Sequence, residues 1–236
     1  MSKGGKQMPT QRSSKSRTVI TGSVPSKKST DHMVHYRGVL KRAYVYLLEY
    51  DDHVQSYEEQ PFSISYRAGN RLSRYTPDFQ VIWKHQRPRL VACMPKVVVN
   101  HPASSTCLTA AQLWCQEHHH DFALVTEATL RSHSVLVSNL ELLAVHSFSP
   151  IPPQTHEYLL NMIIAIGGPF SPLELVQQTP LLHPTQTKSA LWNLVYHGEL
   201  LTDLTKPLHF VTTSLLWKKD LSRKHTSPLL LDAPSP

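Results

Sequence analysis

The stretch VQSYEEQPFSISYRAGNRLSRYTPDF, residues 54–79, decides how this chain folds. Ser63-Ile64-Ser65-Tyr66 alternates polar and apolar side chains, the period of a half-buried strand. Arg67-Ala68-Gly69-Asn70 supplies turn residues, and Asp78-Phe79-Gln80-Val81-Ile82-Trp83 rises again as a strand. Downstream, Arg87-Pro88 breaks the pattern before a further strand, Leu90-Val91-Ala92-Cys93-Met94. TCLTAAQLWCQEHHH (106–120) then has helical spacing, and Asp121–Val125 has the apolar content of a buried strand. Glu127 to Leu143 carries one or two more helices. Upstream, GVLKRAYVYLLEYDD (38–52) places Leu40, Ala43, Tyr44, Leu47 and Leu48 on one helical face and stops at Asp51-Asp52. Hairpin strands followed by strand–helix–strand describe a mixed sheet with helices against it.

Charge is distributed unevenly along the 236 residues. Residues 1–37 carry Lys3, Lys6, Arg12, Lys15, Arg17, Lys27, Lys28 and Arg37 against Asp31 alone, which sums to +7, the net charge of the whole chain. The other 199 residues balance. The basic segment is rich in Ser, Thr, Lys and Gly and has too little apolar surface to fold by itself. It is expected to be a disordered arm, serving either as a solubilising tail or as a DNA-binding arm that follows a phosphate backbone through Lys3, Lys6, Arg12, Lys15, Arg17, Lys27 and Lys28. No apolar run is long enough to span a bilayer, and MSKGGKQMPT lacks the apolar core of a signal peptide. Cys93, Cys107 and Cys115 are odd in number and form no CxxC pair, so they read as reduced, buried thiols of a cytoplasmic protein.

Three further features carry simple structural readings. His118-His119-His120 diverge around a helix and fit a polar helix end better than a metal site. Trp83, Trp114, Trp192 and Trp217 stand at apolar positions and read as core. An aspartate following proline, as in Thr76-Pro77-Asp78, is more often a turn cap than a cation ligand.

Beyond Pro150-Ile151-Pro152-Pro153, a stiff boundary, His156–Ile166 is an amphipathic helix ended by Gly167-Gly168-Pro169. Ser171-Pro172-Leu173-Glu174 opens a second helix with Ser at the N-cap, Pro at N1 and Glu at N3. Thr185–His197 is a third, and Leu200–Leu204 and Leu208–Thr212 are expected to pair as strands around Thr205-Lys206-Pro207. Three helices and a hairpin make a winged helix. Its third helix offers Gln186, Lys188, Asn193 and Tyr196, and residues 150–218 sum to −1, which favours protein docking over DNA reading.

The run Gly38–Met94, with VLKRAYVYLLEYDDHVQSYEEQP, SISYRAGNRLSRYTPDF and LVACMP, resembles the N-terminal domain of the TnsA family, the endonuclease subunit of heteromeric cut-and-paste transposases. HHHDFALVTEATLRS followed by NLELL is similar to the stretch that comes next, and the likeness extends over about residues 38–218. The resemblance implies an α/β fold: a restriction-endonuclease-like mixed-sheet domain (38–148) and an α+β winged-helix domain (149–218), with an arm (1–37) and a tail (219–236). It also implies a magnesium-dependent site made of a helix glutamate, the aspartate of a TPDF-like motif and a Glu/Gln-x-Lys pair on the next strand.

Carried over position by position, the glutamate falls on Lys41, the aspartate on Asp78, the Glu/Gln on Ala92 and the lysine on Met94. Asp78 alone is retained. An ammonium about 5 Å from a divalent ion adds on the order of 6–7 kcal/mol of repulsion at an effective dielectric near 20. Magnesium needs several oxygen ligands, so one aspartate holds it poorly. Glu49 lies about 12 Å along the helix from Lys41, and Pro95 interrupts the strand before Lys96, so neither is placed to substitute. No cofactor is expected, or magnesium if cleavage survives.

The expected role is a catalytically degenerate, scaffold-like subunit of a Tn-seven-type transposition machinery, with a TnsB-like transposase, a TnsC-like ATP-dependent regulator and transposon-end DNA as partners. The alternatives are an active magnesium-dependent endonuclease cutting transposon ends and a winged-helix DNA-binding regulator. A Lys41–Asp78 ion pair is expected to fill the place of the metal, because a partly buried carboxylate without a cation is costly.

Overall fold

A computed structural model of the chain describes residues 20–218. The first half contains β1 (Thr21–Pro25), β2 (Met33–Arg37), α1 (Val39–Tyr50), β3 (Val54–Glu59), β4 (Ile64–Ala68), β5 (Arg71–Tyr75), β6 (Phe79–Trp83) and β7 (Arg89–Cys93). There follow α2 (Lys96–Val99), α3 (Pro102–Glu117), β8 (Asp121–Val125), α4 (Glu127–Arg131) and α5 (Ser134–Ser147). The last part holds α6 (Pro153–Ile166), α7 (Pro172–Gln178), α8 (Pro184–Tyr196), β9 (Leu200–Leu201) and β10 (Leu216–Trp217).

The main sheet has the order β3-β6-β7-β8 and is mixed: β6 is antiparallel to both β3 and β7, whereas β7 and β8 run parallel. The parallel pair is joined by a crossover through α2 and α3, as parallel strands require. Leu90, Val91, Ala92 and Cys93 are all buried, and successive side chains of a strand point to opposite faces, so β7 must be covered on both. Tyr44, Val45 and Leu48 of α1 pack on one face with Tyr57, Phe79, Val81, Trp83, Val91 and Cys93. On the other face, Ala111 and Cys115 of α3 meet Leu90, while Cys107 and Leu108 meet Ala92. All three cysteines are free and buried. Trp83 and Trp192 are buried, and the Trp83 Nε1–H donates to Asp51 Oδ2 at 3.1 Å. Trp114 is half-buried under His118, stacked at 4.0 Å between ring centroids.

Two boundaries drawn from sequence move. Residues 21–37, assigned there to the disordered arm, form the antiparallel hairpin β1–β2, whose Val24 and Val34 are buried in the core beneath α1. Composition misled because two valines suffice when a ready-made apolar surface lies alongside. At the other end, α5 belongs by packing with the C-terminal helices. Its Leu136, Leu140 and Leu143 share one core with Leu159, Ile163, Leu175, Leu191, Leu194, Leu200 and Leu215, joined by Leu47 of α1. The proline-rich link after α5 therefore separates chain segments without dividing the core.

The C-terminal helices start as their caps dictate. Ser171 Oγ accepts from the Glu174 N–H at 3.1 Å, and Glu174 Oε2 accepts from the Ser171 N–H at 3.4 Å, a capping box with Pro172 at N1. The strand expected at Leu208–Thr212 is not one. β9 pairs instead with β10, and Phe170 exchanges backbone hydrogen bonds with Leu215. The reason lies in α5: Asn139 Nδ2 donates to the Leu204 and Lys206 carbonyls, and its Oδ1 accepts from the Leu208 N–H. Those backbone groups are thereby taken from any ladder with β9, and Pro207 has no N–H to offer. No helix among the described residues is long and apolar enough to cross a membrane.

Candidate functional site

Asp78 stands just before β6, and the flanking strands hold its backbone on both sides. Its N–H donates to the Val91 carbonyl at 2.9 Å, and its own carbonyl accepts from the Gln60 N–H at 3.0 Å. Gln60 follows the end of β3 with φ 48, a left-handed conformation unusual for a side-chain-bearing residue. The Asp78 side chain is equally committed. Oδ2 accepts from the Cys93 N–H at 2.6 Å, and Oδ1 forms an ion pair with the Lys41 ammonium. The expected pair is therefore present, with side-chain exposures of 25% for Lys41 and 13% for Asp78.

Lys41 reaches Asp78 because α1 starts at Val39, directly after Gly38 at φ 100, a conformation available to glycine with little strain. A lysine in a helix's first turn faces the positive end of the dipole, so an acid nearby is needed to hold it. The ammonium opens onto a cleft of about 530 Å³ lined in part by His35, Tyr36, Glu59, Gln60 and Asp78. Tyr36 can lie against β1 only because residue 22 is glycine; a Cβ there would come within 2.4 Å of the Tyr36 hydroxyl oxygen. Glu59 Oε2 accepts from the His35 N–H at 3.0 Å. Burial raises the Glu59 carboxyl above its ordinary range, with the His35 N–H and the Lys41 charge pulling the other way. Beside the site, the Tyr75 hydroxyl is buried without a hydrogen-bond partner among the described residues, and its pKa is raised by burial and by the Asp78 charge.

The remaining sequence candidates are scattered. Ala92 is fully buried against α3, and Met94 packs against the same cluster, so β7 meets Asp78 with a backbone N–H. Cys93 itself is buried, which pushes its thiol well above the ordinary range, away from nucleophilic chemistry. Glu49 lies at the far end of α1, accepting from Ser26 Oγ at 2.5 Å and from the Tyr57 hydroxyl at 2.7 Å. Lys96 opens α2, and its N–H donates to Glu127. Lys3, Lys6, Arg12, Lys15 and Arg17 lie outside the described residues. Lys27 is exposed.

Lys28 is not free to follow phosphates. Its ammonium donates to the carbonyls of Leu48, Glu49 and Asp51 at 2.9, 2.8 and 2.7 Å, capping the C-terminus of α1. On α8, Asn193 is likewise turned inward. Its Nδ2 donates to the His146, Ser147 and Ser149 carbonyls around the end of α5, and the Lys188 ammonium lies 5.6 Å from the centre of the Phe210 ring.

A magnesium ion does not fit the Asp78 donor set. One oxygen is paired with an ammonium and the other takes a backbone N–H, which leaves Glu59 as the only other carboxylate lining the cleft among the described residues. Sequence reasoning missed Glu59. The antiparallel pairing that sets Glu59 opposite Phe79 is what brings it near Asp78, and nothing in its local sequence marks it.

Among characterised proteins compared with the chain, none matches significantly. Residues 51–127 match a family model described as TnsA-like endonuclease N terminal, a span that runs from β3 into α4 and includes Asp78 but not Lys41. Through this mixed-sheet region, the chain is similar to the N-terminal domain of TnsA-like endonucleases.

Proposed function

We propose that the chain is a non-cleaving, TnsA-like subunit of a Tn-seven-type transposition machinery, with a restriction-endonuclease-like domain that holds transposon-end DNA and partners without cutting. The observation that carries this is the Lys41–Asp78 pair, in which the family's retained aspartate is neutralised by a lysine where a glutamate is expected. Hydrolysis of a phosphodiester needs an activated water and a cation to take up developing charge. Here the carboxylate that would hold the cation balances an ammonium instead.

We read α6–α8 with β9 and β10 as a winged helix that docks protein, its partner of choice a TnsC-like regulator. Asn193, a base-reading type of residue, is occupied in capping α5, and residues 150–218 sum to −1. A TnsB-like transposase is the second expected partner.

The active-nuclease reading draws on one feature, the second carboxylate, Glu59, in the same cleft. Incubating the purified chain with supercoiled plasmid and Mg²⁺ or Mn²⁺ separates the two. No nicking is expected. Nicking that disappears in Asp78→Ala overturns the proposal and establishes the nuclease. A footprint on transposon-end DNA centred on α8, obtained without partners, would instead support a DNA-binding regulator.

A further inference from the structure

The near-zero charge of residues 38–236 conceals a local concentration. Between Glu59 and Asp78 the chain carries Arg67, Arg71 and Arg74 and no acidic residue. All three sit on β4 and β5, which among the described residues pair only with each other, as a two-stranded ribbon outside the main sheet. The turn is Gly69-Asn70, and Gly69 has φ 61, the sign such a turn takes when glycine comes first. Register places Ser65 opposite Arg74 and Arg67 opposite Leu72 on one exposed face, while Arg71, opposite Ala68, is exposed at the ribbon's tip beside the turn. The other face is anchored: Ile64 is buried with Leu90, Ala111 and Cys115, Tyr75 packs beside it, and Ser63 Oγ lies 2.7 Å from Thr76 Oγ1 at the ribbon's base.

Arginines on a ribbon have ordinary structural uses, chiefly pairing with neighbouring acids. That use is absent here. All three are exposed, and among the described residues none of them forms an ion pair. Leu72, between Arg67 and Arg74 on the outer face, is 74% exposed.

We propose that the β4–β5 ribbon is a docking element for duplex DNA, entering the major groove with Arg67, Arg71 and Arg74 directed at phosphates and base edges. A two-stranded ribbon has the width the major groove admits, about 12 Å. Five residues of strand span about 16 Å, enough to cross several base pairs. Guanidinium groups on both strands of the ribbon can serve both groove walls, and their forked donors suit phosphate and guanine better than an ammonium would. Leu72 supplies an apolar contact of the kind a thymine methyl accepts. The ribbon runs through Thr76-Pro77 directly into Asp78, so DNA held on it lies beside the cleft. This inference rests on the DNA-holding reading given above.

The test titrates the full-length chain into a labelled duplex of about 30 base pairs, read by fluorescence anisotropy across salt from about 50 to 200 mM. R67A/R71A/R74A is expected to bind at least tenfold more weakly than wild type, with a log affinity–log salt slope shallower by about 2–3. Arg67→Glu alone should weaken binding more than Arg67→Ala, and all variants should melt with wild type, since the changed side chains are exposed. Equal affinity and slope for wild type and triple variant would overturn the ribbon while leaving the DNA-holding reading intact. A wild-type chain that binds no duplex at low salt would overturn that reading and the ribbon with it. Displacement of DNA by polyglutamate as effectively as by unlabelled duplex would assign the surface to an acidic protein and also overturn the proposal.

Discussion

Helix α1 has a lysine at each end, and the two ammonium groups do opposite work. Lys28, arriving from the β1–β2 hairpin, sits where the helix dipole is negative and donates to three carbonyls at the C-terminus. Lys41, within the first turn, sits where the dipole is positive and is held by Asp78. Lys28 completes a helix end that any sequence would need to satisfy, and its loss leaves orphan carbonyls. Lys41 neutralises a partly buried carboxylate at the edge of the main sheet. The difference teaches that an ammonium at a helix end takes its task from the groups nearby, carbonyls at one end and a carboxylate at the other.

Replacing each lysine separately breaks the comparison if the effects come out in the wrong order. Lys28→Ala removes three charge-assisted bonds to carbonyls beside a buried Asp51, and is expected to cost about 2–4 kcal/mol by denaturant unfolding. A loss below about 0.5 kcal/mol would mean the ammonium is a surface charge after all. Lys41→Ala strands Asp78 in part, and about 1–3 kcal/mol is expected after allowing for its partial exposure. Melting like wild type would dismiss the idea that this pair replaces a metal.

Lys41→Glu sharpens the same point. Two carboxylates then face each other, so the variant should melt below Lys41→Ala and recover several degrees in millimolar Mg²⁺ or Mn²⁺, as ligand linkage requires. No response to either ion would show that the geometry no longer accepts one.

The N-terminal arm can be tested apart from the hairpin that follows it. Deleting residues 1–19 removes Lys3, Lys6, Lys15, Arg12 and Arg17 while keeping Val24, Val34 and Lys28. Duplex affinity at low salt should fall about tenfold, or roughly 1.4 kcal/mol, with a shallower salt slope. Unchanged affinity would make the arm a solubiliser.

The smallest effect concerns Glu59. Its carboxyl is raised in the folded chain, so the fold binds that proton more tightly than the unfolded chain does. The associated stability is present below the ordinary glutamate pKa of 4.5 and is lost as pH rises through the folded value. Glu59→Gln should therefore equal or slightly exceed wild-type stability at neutral pH, with the advantage shrinking near pH 4. A variant clearly less stable at neutral pH would show that the carboxylate is an obligatory partner of the His35 N–H.

Features set by a few neighbouring residues could be foreseen from the sequence: the helical stripe of α1, the alternation in β4, and the capping box at Ser171 and Glu174 with Pro172 at N1. The family likeness added one long-range expectation, that Lys41 faces Asp78, and the two side chains do form an ion pair. What no local pattern could carry was the destination of polar groups whose partners are distant in sequence. Asn139 reaches carbonyls 65 and 67 residues away and so removes the expected strand at Leu208–Thr212. Asn193 caps a helix that ends near His146, and Lys28 caps one that ends at Tyr50. Cys93 serves Asp78 through an N–H that nearly every residue possesses, and Glu59 joins the cleft by strand register alone. Backbone donors and acceptors are anonymous in a sequence, and only the packed chain determines which side chain must satisfy them.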